Sequence, residues 1–307
     1  MQRRLIDYFV ISLKGIAMGA ADAVPGVSGG TIAFISGIYE ELITSISNIN
    51  LALFKTLLKD GFKAFRKQLN GNFILALLLG IVVSFATFMR LAKYLIENHP
   101  ILIWSFFFGL IVASIYFVGK EVKKWNYGTV LVFILGAVFA YYISTLPSLA
   151  NNDSTLYLFL AAAVAICAMI LPGISGAFIL IILGAYKSLS DAVHDIDIKK
   201  LAIFIGGAII GLLTFSRVLK WLFKHYHDLT MALLTGFILG SLNKVWPWKN
   251  VLSWRTDSKG QEVPLMEESI LPSSFDGDPQ ITYAVLLMIV GFLTIIVLEK
   301  LGTKSKT

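Results

Sequence analysis

Two short runs of residues carry most of the chemistry in this sequence: Val24-Pro25-Gly26-Val27-Ser28-Gly29-Gly30 and Leu171-Pro172-Gly173-Ile174-Ser175-Gly176, each set inside an otherwise apolar stretch. Proline lacks an N–H and stops the helix before it. Glycine lets the chain turn without a side-chain clash. Serine is a favoured N-cap for a helix that follows. Pro25, Gly26, Pro172 and Gly173 are therefore read as helix-break residues, with Ser28 and Ser175 as caps. The N–H groups of Gly29, Gly30 and Thr31, and of Gly176 and Ala177, then open the next helices. A helix start offers partial positive charge and free donors, which attract anions. A kink made only for packing explains one such run about as well; two copies favour the binding reading.

Arg90 and Arg217 lie deep in apolar stretches. A charge at the bilayer centre costs on the order of 2.5–3.5 kcal/mol, and a guanidinium fork suits bidentate contact with phosphate or carboxylate. Two readings stand: the arginines join an anion site, or they snorkel toward headgroups as Lys93 and Lys220 would. Asp22, three residues before Pro25, is a coupling or gating candidate for a proton or cation. Its local alternatives are pairing with Lys14 and capping exposed backbone. Glu40 and Glu41 are weaker candidates of the same kind, against the plainer reading of a solvated helix end. His225, His227 and Asp228 complete no metal or acid–base cluster, so no metal and no cofactor is expected.

Positioning these residues requires a membrane. Of the 307 residues, 57% are hydrophobic and 15% charged, against about 25% charged in an ordinary soluble domain. A soluble core of this length cannot hide that much apolar surface. The net charge of +7 comes from short clusters between apolar runs, so a nucleic-acid partner is excluded. Apolar runs of about 20 residues match a hydrocarbon core, and full spans are predicted near 72–97, 100–119, 127–146, 199–224, 229–247 and 281–301. The regions 5–49 and 156–193 are each predicted as two shorter helices meeting at a break, re-entrant or as a pair of short spans. Trp104, Trp125, Trp221, Trp246 and Trp248 fall near span ends, where belt residues anchor to the interface.

Orientation follows from Lys and Arg. Basic residues cluster at 51–70, at 120–126 and at the C-terminus, whereas the 147–155 link has none and acidic residues dominate the 248–280 loop. Both termini are expected in the cytoplasm and the 248–280 loop outside. The 187–200 loop, also expected outside, fits less well, because Lys187, Lys199 and Lys200 offset Asp191, Asp195 and Asp197. The basic amphipathic stretch 51–70 is expected to lie on anionic lipid.

The chain also repeats itself. At an offset of 147, Pro25, Gly26, Ser28 and Gly29 meet Pro172, Gly173, Ser175 and Gly176, and Gly37 and Tyr39 meet Gly184 and Tyr186. At an offset of 127, Gly80, Arg90, Lys93 and Gly109 meet Gly207, Arg217, Lys220 and Gly236. The fold expected is an all-α membrane protein made of two inverted repeats, 1–146 with its insert at 51–70 and 147–307 with its external loop at 248–280. Each half holds one broken helix pair and three spans, and the odd number of spans inverts the second half. Inverted repeats with discontinuous helices are a transporter architecture, with the site near the midplane.

The run Gly19-Ala20-Ala21-Asp22-Ala23-Val24-Pro25-Gly26-Val27-Ser28-Gly29-Gly30-Thr31-Ile32-Ala33, continued by Gly37-Ile38-Tyr39-Glu40, resembles the signature of the bacterial polyprenyl-phosphate transporters. The second signature is the Leu171–Gly176 run, and the resemblance covers nearly the whole chain. It implies a non-enzymatic transporter in the bacterial cytoplasmic membrane that returns undecaprenyl phosphate for cell-wall polymer synthesis. It also implies that the two Pro-Gly-x-Ser-Gly runs hold the phosphate and that Asp22 couples or gates. Ala177 and Phe178 stand where the first copy has Gly30 and Thr31, so unequal half-sites are expected. Two alternatives are carried forward. One is a transporter of a small soluble anion. The other is a membrane lipid phosphatase, for which the Ser216-Arg217 pair lacks a partnering His.

Overall fold

The computed structural model describes residues 3–22, 28–146, 154–256 and 262–303. Its helices are α1 (Leu5–Asp22), α2 (Gly29–Ile35), α3 (Tyr39–Ser47), α4 (Leu51–Leu69), α5 (Gly71–Asn98), α6 (Pro100–Gly119) and α7 (Tyr127–Thr145), followed by α8 (Thr155–Ile170), α9 (Gly176–Ile182), α10 (Tyr186–His194), α11 (Ile198–His225), α12 (His227–Gly240) and α13 (Ile281–Thr303). Strands β1 (Lys249–Thr256) and β2 (Glu262–Ser269) pair antiparallel between α12 and α13.

Local chemistry sets the boundaries. Asn126 and Thr129 form a reciprocal capping box at the start of α7. Asp197 accepts from the Lys200 N–H to open α11, and Pro100 occupies the first turn of α6. Asn50 caps α4 through the Leu53 N–H, and Gly61, at φ 80°, kinks that helix. Leu51, Phe54, Leu58 and Phe62 of α4 are exposed beside its basic residues, the composition of a helix lying on a membrane surface.

Among the described residues, four helices, α5 (over Gly71–Phe88), α6, α7 and α11, are long and apolar enough to cross a membrane. The expected span at 229–247 is shorter as an α-helix: α12 ends at Gly240 and continues as a 3-10 turn over Ser241–Val245. Leu131, Ile134, Leu135 and Val138 of α7 are exposed, a row of large apolar side chains that only lipid would leave uncovered.

The long helices pack as parallel pairs. Along α1 and α5, the Ser12 hydroxyl donates to the Ala76 carbonyl at 2.7 Å, Gly15 faces Leu77 and Gly80, and Gly19 faces Ile81 and Ser84. Along α8 and α11, Phe159 meets Gly207 and Ala163 meets Gly211. Along α7 and α12, Phe133 meets Gly236 and Ala137 meets Gly240. The glycines paired at offset 127 thus lie at corresponding crossings: a methyl on Gly80 would strike the Ser12 carbonyl, and one on Gly207 the Phe159 carbonyl.

Three expectations need correction. The 248–280 loop is not helical or irregular throughout; it carries the β1–β2 hairpin, so the fold is helical with one small sheet. Each broken region holds one long and two short helices rather than two. Trp246 and Trp248 are not belt residues. Trp248 is buried and donates Nε1 to the Pro279 carbonyl at 2.9 Å, while Trp246 donates to the Ile270 carbonyl at 2.8 Å, so both fasten the chain around the hairpin.

Candidate functional site

Each broken region folds back on itself. The Gly29 N–H, opening α2, reaches Asp22 at the end of α1; farther along, the Ser36 carbonyl accepts from Lys14 Nζ at 2.7 Å and Glu41 accepts both Arg3 nitrogens at 2.6 Å. The second region repeats the pattern: Gly176 lies against Ala165 and Met169 of α8, and the Leu183 carbonyl accepts from the Tyr157 hydroxyl. Gly173, at φ 84°, makes the turn at this tip, and α9 and α10 are bent by 108°. Pro25 and Gly26 lie outside the described residues.

The two tips touch. The Ser28 hydroxyl lies 3.2 Å from the Met169 carbonyl, to which it donates, and 3.5 Å from that of Leu171. The Gly173 N–H donates to the Thr31 hydroxyl at 2.9 Å. Gly30 is packed so closely that a Cβ there would lie 2.6 Å from the Ile170 carbonyl. Residues 142 positions apart in sequence are thereby held as one polar junction inside the protein.

Within the first tip the donors are engaged. Gly29 N–H donates to Asp22 Oδ1 at 2.6 Å, Gly30 N–H to the Ser28 hydroxyl at 3.1 Å, and Thr31 N–H to the Ser28 carbonyl at 2.9 Å. Ser28 is the side-chain cap its sequence predicts, and Asp22 is a second, since its Oδ1 accepts from the first N–H of α2. The second tip differs. Ser175 stands at the N-cap of α9 without a side-chain cap hydrogen bond, Gly176 is buried and Ala177 is exposed.

The charged candidates separate. Arg217 is exposed and donates to the Ile49 carbonyl, just past α3, at 3.0 Å; Lys220 donates to Asn48 Oδ1 at 3.2 Å. The Arg90 side chain lies outside the described residues. Glu40 meets His227 Nε2 at 3.2 Å, joining α3 to α12, and Glu41 pairs with Arg3 and Asn70. These contacts, with Tyr39 packed edge-on to Phe223, close α3 onto α11. Ser216 is fully buried and donates to the Leu213 carbonyl.

One charged cluster escaped the sequence reading. Beside the second tip, Lys244 Nζ lies 4.6 Å above the Phe178 ring and 3.5 Å from Glu267 of β2. Lys249 Nζ lies 3.3 Å from the same carboxylate, donates to the Lys244 carbonyl at 2.8 Å and covers the Trp104 ring at 4.7 Å. Burial pushes the Lys249 ammonium down and the Glu267 carboxyl up; for Glu267 the two ammonium groups outweigh burial and hold it below the usual carboxylate range. The signal in the sequence is the position of Lys244 and Lys249, which flank Pro247 where an apolar span gives way to an acid-rich loop.

Lipid-facing apolar helices and two folded-back segments meeting at polar tips define an α-helical, multi-pass membrane protein. The model of the VCA0040-like, undecaprenyl phosphate translocase-like family matches residues 18–263. The chain belongs to that family. It is 44% identical to a polyprenyl-phosphate transporter of Vibrio cholerae over 99% of this chain and all of the relative. It is also 31% identical to a polyprenyl-phosphate transporter of Staphylococcus aureus, over 79% of this chain and 88% of that one. No solved structure matches the chain.

Proposed function

We propose that the protein carries the phosphate headgroup of a polyprenyl phosphate, undecaprenyl phosphate in the bacterial setting, across the cytoplasmic membrane, and so returns the lipid carrier for cell-wall polymer synthesis. The observation that carries this reading is the junction of the two tips, Ser28 and Thr31 against Met169 and Gly173. The names of the two relatives supply the substrate class. In this reading the halves 1–146 and 147–307 are inverted repeats. The hairpins α1–α2 and α8–α9 re-enter from opposite faces and meet near the midplane, where backbone groups at a break must be buried or face a wet cavity.

Transport then proceeds by exchange at the tips. The phosphate takes over the Gly29 donor from Asp22, which leaves the α2 start as the headgroup arrives, and the Gly30 donor from the Ser28 hydroxyl. Because one anion replaces another, the charge at the tip stays nearly constant, and protonation of the displaced Asp22 is the natural coupling step. Arg90 and Arg217 guide the headgroup on its way to or from the tips. Closure of α3 on α12 through Glu40 and His227 seals the side expected to be cytoplasmic. The apolar tail stays in lipid throughout. Ser216, buried and bonded to its own helix, offers no nucleophile, which favours transport over hydrolysis.

Native mass spectrometry of the detergent-solubilised protein with a polyprenyl phosphate and the matching polyprenol tests this reading. Binding is expected to require the phosphate and to fall about tenfold in the Arg90→Ala/Arg217→Ala double variant, the loss of one or two charge-assisted contacts. Equal binding of both lipids, or an unchanged double variant, would leave the arginines as snorkelling residues. Displacement of the lipid by equimolar inorganic phosphate would favour a soluble-anion transporter instead.

A further inference from the structure

Next to the second tip lies a pocket of about 300 Å³, counting the part open to solvent. Gly173, Ser175 and Phe178 form one wall, Ser144 of α7 another, and Ser241 and Lys244 of the 3-10 turn the third. Lys244 is the single charged residue of the lining. Ser144 and Ser241 donate to carbonyls of their own helices, Tyr141 and Ile238, at 2.7 and 2.8 Å. Among the described residues, the side-chain donors of the lining that remain to face a ligand are the Lys244 ammonium and the Ser175 hydroxyl.

The cluster around Lys244 carries more positive than negative charge. Glu267 is one carboxylate between two ammonium groups. Lys249 holds it at the shorter distance and is itself fixed by the Lys244 carbonyl and the Trp104 face. Lys244 reaches Glu267 only at 3.5 Å, the outer limit of a hydrogen bond, and its other contact is the Phe178 ring. An anion entering the pocket therefore competes with Glu267 for Lys244 alone, while Lys249 retains the carboxylate. The Ile143, Ile174 and Phe178 side chains give the pocket an apolar side suited to the first carbons of a lipid tail.

We propose that this pocket is a headgroup subsite for a lipid phosphate monoester. Lys244 supplies its charge, Ser175 a hydrogen bond, and Glu267 is the resident counter-ion that the phosphate replaces. The proposal rests on the transport reading and names the place on the expected external side where the headgroup first settles before it reaches the tips.

Titration of the full-length protein in detergent with farnesyl phosphate, farnesol and inorganic phosphate tests it, in wild type and in Lys244→Ala, Lys244→Arg and Glu267→Gln variants. Farnesyl phosphate binding is expected to weaken about tenfold in Lys244→Ala, to recover in Lys244→Arg, and to tighten a few-fold in Glu267→Gln, with farnesol binding unchanged throughout. Tightening in Glu267→Gln is a result that a merely structural ion pair would not give, since breaking such a pair weakens the site. If wild type binds farnesyl phosphate over farnesol and Lys244→Ala binds equally well, the subsite is refuted while the transport reading stands. If wild type does not discriminate the two lipids, the transport reading itself fails. Inorganic phosphate binding as tightly as the lipid phosphate would assign the pocket to a free anion and overturn the proposal.

Discussion

Asp22 is the residue on which two roles converge. Its carboxylate accepts the Gly29 N–H at 2.6 Å and fills the α2 start, so in this structure it is a cap. Both roles were visible in the sequence, because an acid placed three residues before a proline in an apolar run has only backbone donors and Lys14 within reach. What sequence could not decide was which partner wins; Lys14 instead reaches the Ser36 carbonyl. Asp22→Asn keeps an oxygen for the Gly29 N–H and removes the charge, so the cap is expected to survive at a cost of under about 1 kcal/mol. If Asp22 also trades places with the phosphate, lipid transport in proteoliposomes is expected to fall about tenfold, beyond what the small stability change explains. Unchanged transport would leave Asp22 a cap and nothing more. Lys244 was illegible for the opposite reason: at offset 127 it meets Phe117, and its partner Glu267 sits in a segment that reads as a loop.

At the scale of elements, the apolar periods fixed most boundaries. The expected spans at 72–97, 100–119, 127–146 and 199–224 lie within two residues of α5, α6, α7 and α11, because a run of about 20 apolar residues has few other ways to satisfy its backbone in lipid. The β1–β2 hairpin was missed because its strands are short, bulged between Val251 and Trp254 and interleaved with charged residues. Trp246 and Trp248, just before β1, donate to the Ile270 and Pro279 carbonyls that follow β2 and so tie its two ends together. The glycines paired at offset 127 are legible only as small residues; the structure shows what they admit. Gly80→Ala is expected to destabilise the protein by about 1–3 kcal/mol, because the added methyl meets the Ser12 backbone. Gly206→Ala, whose methyl would meet only the Phe159 ring at 3.8 Å, is expected to be neutral or slightly stabilising. Thermal melts in one detergent compare the pair, and equal melting temperatures would mean that the α1–α5 crossing yields readily.

Across the whole molecule the arrangement is lopsided. On one side α3 is fastened to α11 and α12 through Glu40–His227, Arg217–Ile49 and Lys220–Asn48. On the other side the second tip adjoins an open pocket under the hairpin. In the proposed transport reading, this combination corresponds to one state of an alternating-access carrier, closed to one face and receptive to the other. The junction of Ser28, Thr31, Met169 and Gly173 lies between these two regions, where a headgroup would pass from one to the other.

Movement of a lipid headgroup is measured in proteoliposomes carrying a fluorescent polyprenyl phosphate, by the rate at which outer-leaflet probe becomes inaccessible to a membrane-impermeant quencher. The purified protein is expected to accelerate this exchange at least about tenfold over protein-free vesicles, to leave the matching fluorescent polyprenol unaccelerated, and to take up lipid from the pocket side more slowly as Lys244→Ala. Exchange of polyprenyl phosphate at the protein-free rate, or equal acceleration of the neutral polyprenol, would contradict headgroup transport.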